Sequence, residues 1–161
     1  MTFKTLTTAL AFATLTGAGL TTAAYGDDTA SVQSFYDLLS NPGAAEQVAA
    51  FEAATAEDWT SSGDYSGADK TRAAFLGRVG GFAQLIPDLN WEVQAMHQDG
   101  AFVTVRSRAT GTPIAPLFGV DGEGRSFDIM TIDIHQLEDG VISRSWHVED
   151  WAGALQQLSG H

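Results

Sequence analysis

The sequence contains no cysteine, and it has only 8 basic residues against 20 acidic ones, a formal net charge of −12 over 161 residues. Without cysteine there is no disulfide and no thiolate chemistry, so stability must come from the core alone. A surface this acidic repels nucleic acid and anionic lipid, so nucleic acid is not an expected partner. Beyond the N-terminal stretch no apolar run is long enough to span a membrane, and stable membrane insertion is not expected. No H-x-x-x-H or comparable ligand spacing occurs, so no metal site is expected. The glycines are scattered or sit at turns, which is unlike a phosphate-binding loop, and no G-x-S-x-G elbow surrounds Ser143 or Ser145.

The first stretch reads as a secretory signal peptide. Lys4 is its only charge before Asp27, and Leu6 to Leu20 is an apolar, small-residue run too short to span stably. Ala24 and Gly26 fit the −3 and −1 positions of a cleavage site before Asp27; cleavage after Ala24 is the alternative. The expected organisation is therefore a signal peptide over residues 1–26 and one folded domain over 27–161, exported to the periplasm or the medium. A chain of that length suits a single core.

The first half of the domain has helical period. Val32, Phe35, Tyr36 and Leu39 recur at i, i+3, i+4, i+7. Asn41-Pro42-Gly43 breaks that helix, and an Ala-rich helix from Ala44 to Ala54 follows. Asp58 to Thr60 reads as a short strand. Ala68 to Ile86 reads as a third helix with Phe75, Val79, Phe82 and Ile86 on one stripe, and Pro87-Asp88 ends it. From Asn90 the period is two. Strands are expected over 91–97, 101–110, 125–137 and 141–150, with hairpin signals at Asp99-Gly100 and Asp139-Gly140. A short helix from Ala152 to Leu158 closes the chain. Helices first and an antiparallel meander after them predict an α+β fold, with helices on one face of a curved sheet. A sheet curled around helices encloses a conical cavity suited to a small molecule.

Five segments in order, IPDLNWEV (86–93), GAFVTVRSRATGT (100–112), FGVDGEGR (118–125), IDIHQLEDGVISRSW (132–146) and DWAGALQQLSG (150–160), resemble the SnoaL-like polyketide cyclases, or ester cyclases, of the nuclear-transport-factor-2-like fold. The resemblance implies a cone-shaped α+β barrel with a buried pocket, working by acid/base chemistry without metal or cofactor. It implies ring closure by aldol condensation of a hydrophobic carbonyl compound, or a related isomerisation. It maps the catalytic aspartate onto Asp150, in W-x-x-x-D spacing from Trp146, and the pocket histidine onto His135. Two further roles of this fold follow: a small-molecule-binding module that lacks the chemistry, and a homodimer formed through the outer sheet face.

The residues themselves support these assignments with alternatives beside them. Trp146, Val148 and Asp150 share a strand face, and a carboxylate in an apolar pocket is disfavoured as an anion, which suits a general acid or base. Asp150 also precedes a helix and can cap it instead. His135 near a strand end can donate to an enolate oxygen or be a satisfied structural histidine. His147 has the parity opposite to Asp150, so the two should leave opposite faces. Arg106 and Arg108 can clamp a ligand carbonyl or carboxylate or form a solvated face. Trp146, Trp91, Met130, Trp59 and Phe75 are the expected pocket walls, ordinary core packing being the alternative for Trp59, Trp91 and Phe75.

Overall fold

The computed structural model describes residues 28–65 and 67–160; the expected signal peptide, both cleavage positions and His161 lie outside the described residues. The elements are α1 (Thr29–Ser40), α2 (Ala45–Ala54), β1 (Thr55–Ser62), β2 (Lys70–Thr71), α3 (Arg72–Leu85), β3 (Asn90–Asp99), β4 (Phe102–Gly111), β5 (Phe127–Glu138), β6 (Val141–Glu149) and α4 (Trp151–Ser159). The expected α+β class holds, with the helical half first and the meander second.

The sheet runs in the order β2-β1-β6-β5-β4-β3. Strands β3 to β6 form the antiparallel meander. The sheet as a whole is mixed, because β1 lies parallel to β6. This extends the short strand expected over Asp58 to Thr60: β1 has eight residues. The physical reason is edge satisfaction. Without β1, the polar backbone of β6 on that side would be unpaired, and buried unpaired N–H and C=O groups are costly. Strand β2 then pairs with β1 at Thr60 and Ser61, so α3 begins at Arg72 and not at Ala68.

Both hairpins form. Asp139 and Gly140 have φ of 51° and 81°, the two left-handed residues that a tight hairpin matching strand twist requires. In the first hairpin Asp99 pairs with Phe102, so Gly100 and Ala101 are the central residues, one position later than expected.

The helices pack on one face of the sheet. Val32, Phe35, Tyr36 and Leu39 of α1 are all buried, as their spacing predicts. Helix α3 is capped by Thr71, whose hydroxyl accepts from the Ala74 amide at 3.3 Å. Arg72 donates to the carbonyls of Glu52, Thr55 and Ala56, which ties α3 to the end of α2. The Gly80-Gly81 pair does not break α3, because buried Phe75 and Val79 hold it to the core. Phe35, Phe51, Trp59 and Phe75 form an aromatic cluster with centroids 5.1–6.2 Å apart. Such pairs contribute about 0.5–1.5 kcal/mol each beyond simple burial. Helix α4 docks on β5 through Gln157, whose amide accepts from the Asp128 N–H at 2.7 Å and donates to its carbonyl at 3.0 Å. Among the described residues no helix is long and apolar enough to cross a membrane.

Candidate active site

The two central strands decide the site, because side chains alternate between faces. On β5 the inward residues are Phe127, Ile129, Thr131, Asp133, His135 and Leu137. Across the ladder, Thr131 pairs with Glu149, Asp133 with His147 and His135 with Ser145. The inner face therefore gathers Asp133, His135, His147 and Glu149 beneath α1 and α3. Trp146 and Val148 have the opposite parity and point outward.

A cavity of about 320 Å³ opens at this face. Its apolar wall includes Leu39, Phe75, Val79, Phe82, Trp91 and Trp151, and its polar wall carries Lys70, Arg78, His147 and Glu149. Phe82 and Trp151 stack at 5.7 Å with planes 20° apart. This gives a flat, aromatic lining opposite a few charged groups, the usual composition of a small-molecule site.

The polar groups are linked in sequence. The Lys70 ammonium lies 3.3 Å from Nε2 of His147. An ammonium only donates, so Nε2 is the acceptor and the ring proton resides on Nδ1. That nitrogen faces the Glu149 carboxylate at 3.6 Å. Burial, with the nearby charges of Lys70 and Arg78, lowers His147 to about 4, so the ring is neutral at pH 7. Glu149 is shifted upward by burial; Lys70, Arg78 and a hydrogen bond from Trp151 pull it part of the way back. Gly63 makes the arrangement possible. A Cβ there would lie 2.1 Å from Nε2 of His147, so only glycine admits the ring.

Behind Glu149 runs a buried chain of polar side chains. Tyr36 on α1 donates to Asp133 at 2.9 Å and lies 3.0 Å from Nε2 of His135. Nδ1 of His135 lies 2.8 Å from the Ser145 hydroxyl, which accepts from Trp59 Nε1 at 3.1 Å. Burial raises Asp133 to about 7, the Glu149 charge adding to it and hydrogen bonds from Tyr36 and Thr131 opposing it. Burial, then the nearby His147, lowers His135 to about 3. Tyr36 is raised well above its usual value by burial and by Asp133.

The structure sorts the expected site residues into three groups. Trp91 and Phe75 line the cavity, and Trp91 is fixed by its Nε1 donating to Thr131 at 3.3 Å. His135 and Trp59 are fully buried members of the polar chain, away from the cavity surface. Asp150, Trp146, Met130 and Arg106 lie elsewhere. Asp150 is exposed and caps α4, accepting from the Gly153 amide at 2.9 Å, so it lacks the desolvation that an acid/base role was expected to draw on. Trp146 is on the outer face, packed under Arg144 with its guanidinium 5.0 Å from the ring centre. Met130 is 58% exposed on that same face, and Arg106 is exposed there too.

Sequence reasoning missed Glu149, His147, Asp133, Tyr36, Lys70 and Arg78. The inner face is that of His147 and Glu149, and not the face that sequence parity assigns to Trp146, Val148 and Asp150. No local signal points to them: the two-residue turn at Asp139-Gly140 would by itself place Asp133 opposite Trp146, and the bulge between Gln136 and Leu137 shifts the register by one residue and brings Asp133 opposite His147. Among the described residues no group of three His, Asp or Glu is placed to hold a metal ion.

Comparison with known structures agrees on the architecture. IdmH of Streptomyces antibioticus, a candidate polyketide cyclase, superposes with a TM-score of 0.71 at 23% identity, covering 83% of this chain and 99% of its own. A SnoaL-like polyketide cyclase of Agrobacterium tumefaciens gives 0.68 at 16% identity, covering 83% and 99%. A ketosteroid isomerase-like protein of Catenulispora acidiphila, solved with trimethylamine, gives 0.62 at 19% identity, covering 81% and 92%. No protein of curated function matches the chain. These likenesses place the fold among the ketosteroid isomerase and nuclear-transport-factor-2-like proteins. Residues 30–158, nearly the whole described domain, match the family model for SnoaL-like polyketide cyclases, and the chain belongs to that family.

Proposed function

We propose that this protein carries out cofactor-free acid/base chemistry on a hydrophobic carbonyl compound, by aldol cyclisation or isomerisation, with Glu149 as the proton carrier. The observation that carries the reading is a carboxylate, raised by burial, in a cavity walled by Phe75, Phe82, Trp91 and Trp151. Burial that raises a carboxyl group makes its carboxylate a stronger base than an exposed one. In its ionised form Glu149 removes a proton from the carbon beside a substrate carbonyl. The electron pair of that C–H bond moves onto the carbonyl oxygen, and the Lys70 ammonium offers a hydrogen bond to the developing enolate. The enolate carbon then attacks a second carbonyl of the same molecule, and Glu149 returns its proton to the new alkoxide. In an isomerisation the proton returns to a different carbon. The aromatic walls hold the substrate flat and exclude water.

The test is Glu149→Gln against a panel of β-keto esters, with circular dichroism as the control for folding. Loss of turnover by a factor of 100 or more is expected, in the range that a general acid/base contributes. Turnover within threefold of wild type would overturn the assignment.

A second observation favours self-association. Met130, Ile132, Ile134 and Val148 are 37–70% exposed on one outer face beside Trp146, and contiguous exposed apolar surface marks an interaction site. A homodimer through this face is the reading it supports. Sedimentation of wild type against Ile134→Asp tests it, with a dimer expected for the first and a monomer for the second. The apolar Leu6 to Leu20 run supports export, for which the N-terminal residue of the protein recovered from a native host outside the cytoplasm is the measurement.

A further inference from the structure

Arg78 stands on the cavity stripe of α3. Phe75, Arg78, Val79 and Phe82 recur at i, i+3, i+4, i+7, and all four line the cavity. The stripe is apolar except for this one cation. Arg78 is also exposed, which puts it at the mouth of the cavity. Its guanidinium lies 5.9 Å from the centre of the Phe82 ring, one helical turn on. An arginine held over an aromatic face keeps the N–H fork at its edge free for a planar acceptor. That fork has no acceptor within the protein. Arg108, Arg125 and Arg144 are each paired with an acid, Arg72 holds three carbonyls, and Lys70 is engaged with His147. Among the described residues Arg78 makes no hydrogen bond or ion pair.

We propose that the cavity takes a flat hydrophobic compound that carries a carboxylate as well as the reacting carbonyl, and that Arg78 binds this carboxylate through its fork while Lys70 meets the carbonyl. As a statement about substrate, this rests on the reading of Glu149 as the proton carrier. Desolvation decides in favour of an anion. An uncharged ligand filling the cavity would strip water from Arg78 and return no partner, and an unpaired cation against aromatic walls is costly. A carboxylate replaces the lost water with two parallel charge-assisted bonds. Charge balance favours an anion too. The lining charges are Lys70 and Arg78 against Glu149 and Asp64, His147 being neutral. Glu149 faces His147, and the Asp64 carboxylate turns toward Gly67 of its own loop; no ion pair joins either to Arg78. When Glu149 takes the substrate proton it becomes neutral. Two cations then face two negative charges on the ligand, the carboxylate and the developing enolate. Elsewhere a chain of net charge −12 repels an anion, so the cation at the mouth is what admits one.

Binding of 2-naphthoate, a flat aromatic acid, and of its uncharged amide, 2-naphthamide, to the full-length protein tests this without turnover. Titration calorimetry at pH 7 measures both affinities, with circular dichroism as the control for folding. The wild type should bind the acid about tenfold more tightly than the amide, or better, as one charge-assisted hydrogen bond is enough to provide. Arg78→Gln, a helix-compatible change at an exposed position, should lose that preference and bind the amide within threefold of wild type. Arg106→Gln, which removes an exposed arginine from the outer face, should keep the preference. Equal affinities in the wild type, or binding of neither probe at millimolar concentration, would overturn the site. So would a preference that survives Arg78→Gln, or one that Arg106→Gln abolishes equally, since net charge and not a fork would then be responsible. Because the readout is binding, a failed preference leaves Glu149 standing on its own turnover test. An active Glu149→Gln would in turn leave Arg78 as the anchor of a carboxylate-binding cavity.

Discussion

On the inner face of the β5–β6 pair stand Thr131, Asp133, His135, Ser145, His147 and Glu149; on the outer face of the same residues stand Met130, Ile132, Ile134, Trp146 and Val148. The buried side is the polar one and the solvent side the apolar one. This inverts the usual alternation in an antiparallel sheet with one face on the core. Each inversion has its own physical explanation. The inner polar groups tolerate burial because they satisfy one another, through Tyr36, His135, Ser145 and Trp59. The outer apolar groups gain nothing from solvent, and the homodimer proposed above is what would cover them.

Substitutions can break this comparison, beginning with the two tryptophans on opposite sides. Trp59→Ala removes a fully buried ring and a donor to Ser145, and should cost about 3–5 kcal/mol. Trp146→Ala on the outer face should cost the protomer about 1 kcal/mol or less. Urea melts of both variants, compared at one low protein concentration, measure the difference.

His135→Gln sharpens the inner-face argument through pH. The folded value of His135 is lowered to about 3, so its contribution is fully present above about 6.5, the ordinary value, and is lost as pH falls from there toward 3. Wild-type stability minus that of His135→Gln should therefore fall by up to about 1.4 kcal/mol per pH unit across that window. A difference that is flat in pH would show that the ring is not held neutral.

Gly63→Ala tests how the site tolerates crowding. The added methyl displaces the His147 ring, at about 1–3 kcal/mol for an overpacked position. The ring leaves its buried place, so its titration should move up from about 4. Proton NMR of the His147 ring is the measurement. Asp150→Ala is the smallest change, about 1 kcal/mol for a lost helix cap, with turnover expected within threefold of wild type. A hundredfold loss would return the catalytic role to Asp150.

Much of the architecture was legible from residue order. The i, i+3, i+4, i+7 spacing in Val32 to Leu39 places one helical face in the core, and Asp-Gly pairs mark both hairpins, because these signals act within a few residues. The switch from period 3.6 to period 2 at Asn90 predicts helices followed by a meander for the same reason. The five family segments carried the fold that the superpositions bear out.

The tertiary structure alone decided which side of β5 and β6 faces the helices. Along β5 the apolar parity changes midway: Phe127 and Ile129 point inward, whereas Met130, Ile132 and Ile134 point outward. Local hydrophobicity therefore favours the wrong face in the half of the strand that carries the site. Trp146 and Val148 repeat the same misdirection on β6, which is why Asp150 looked desolvated and Glu149 went unnoticed. The choice of face is set by contacts far apart in sequence: Tyr36 reaching Asp133, Trp59 reaching Ser145 and β1 closing the edge of β6. Local periodicity determined the elements and their order, whereas burial of a mutually satisfied polar network, which only the assembled sheet and helices can provide, decided the site.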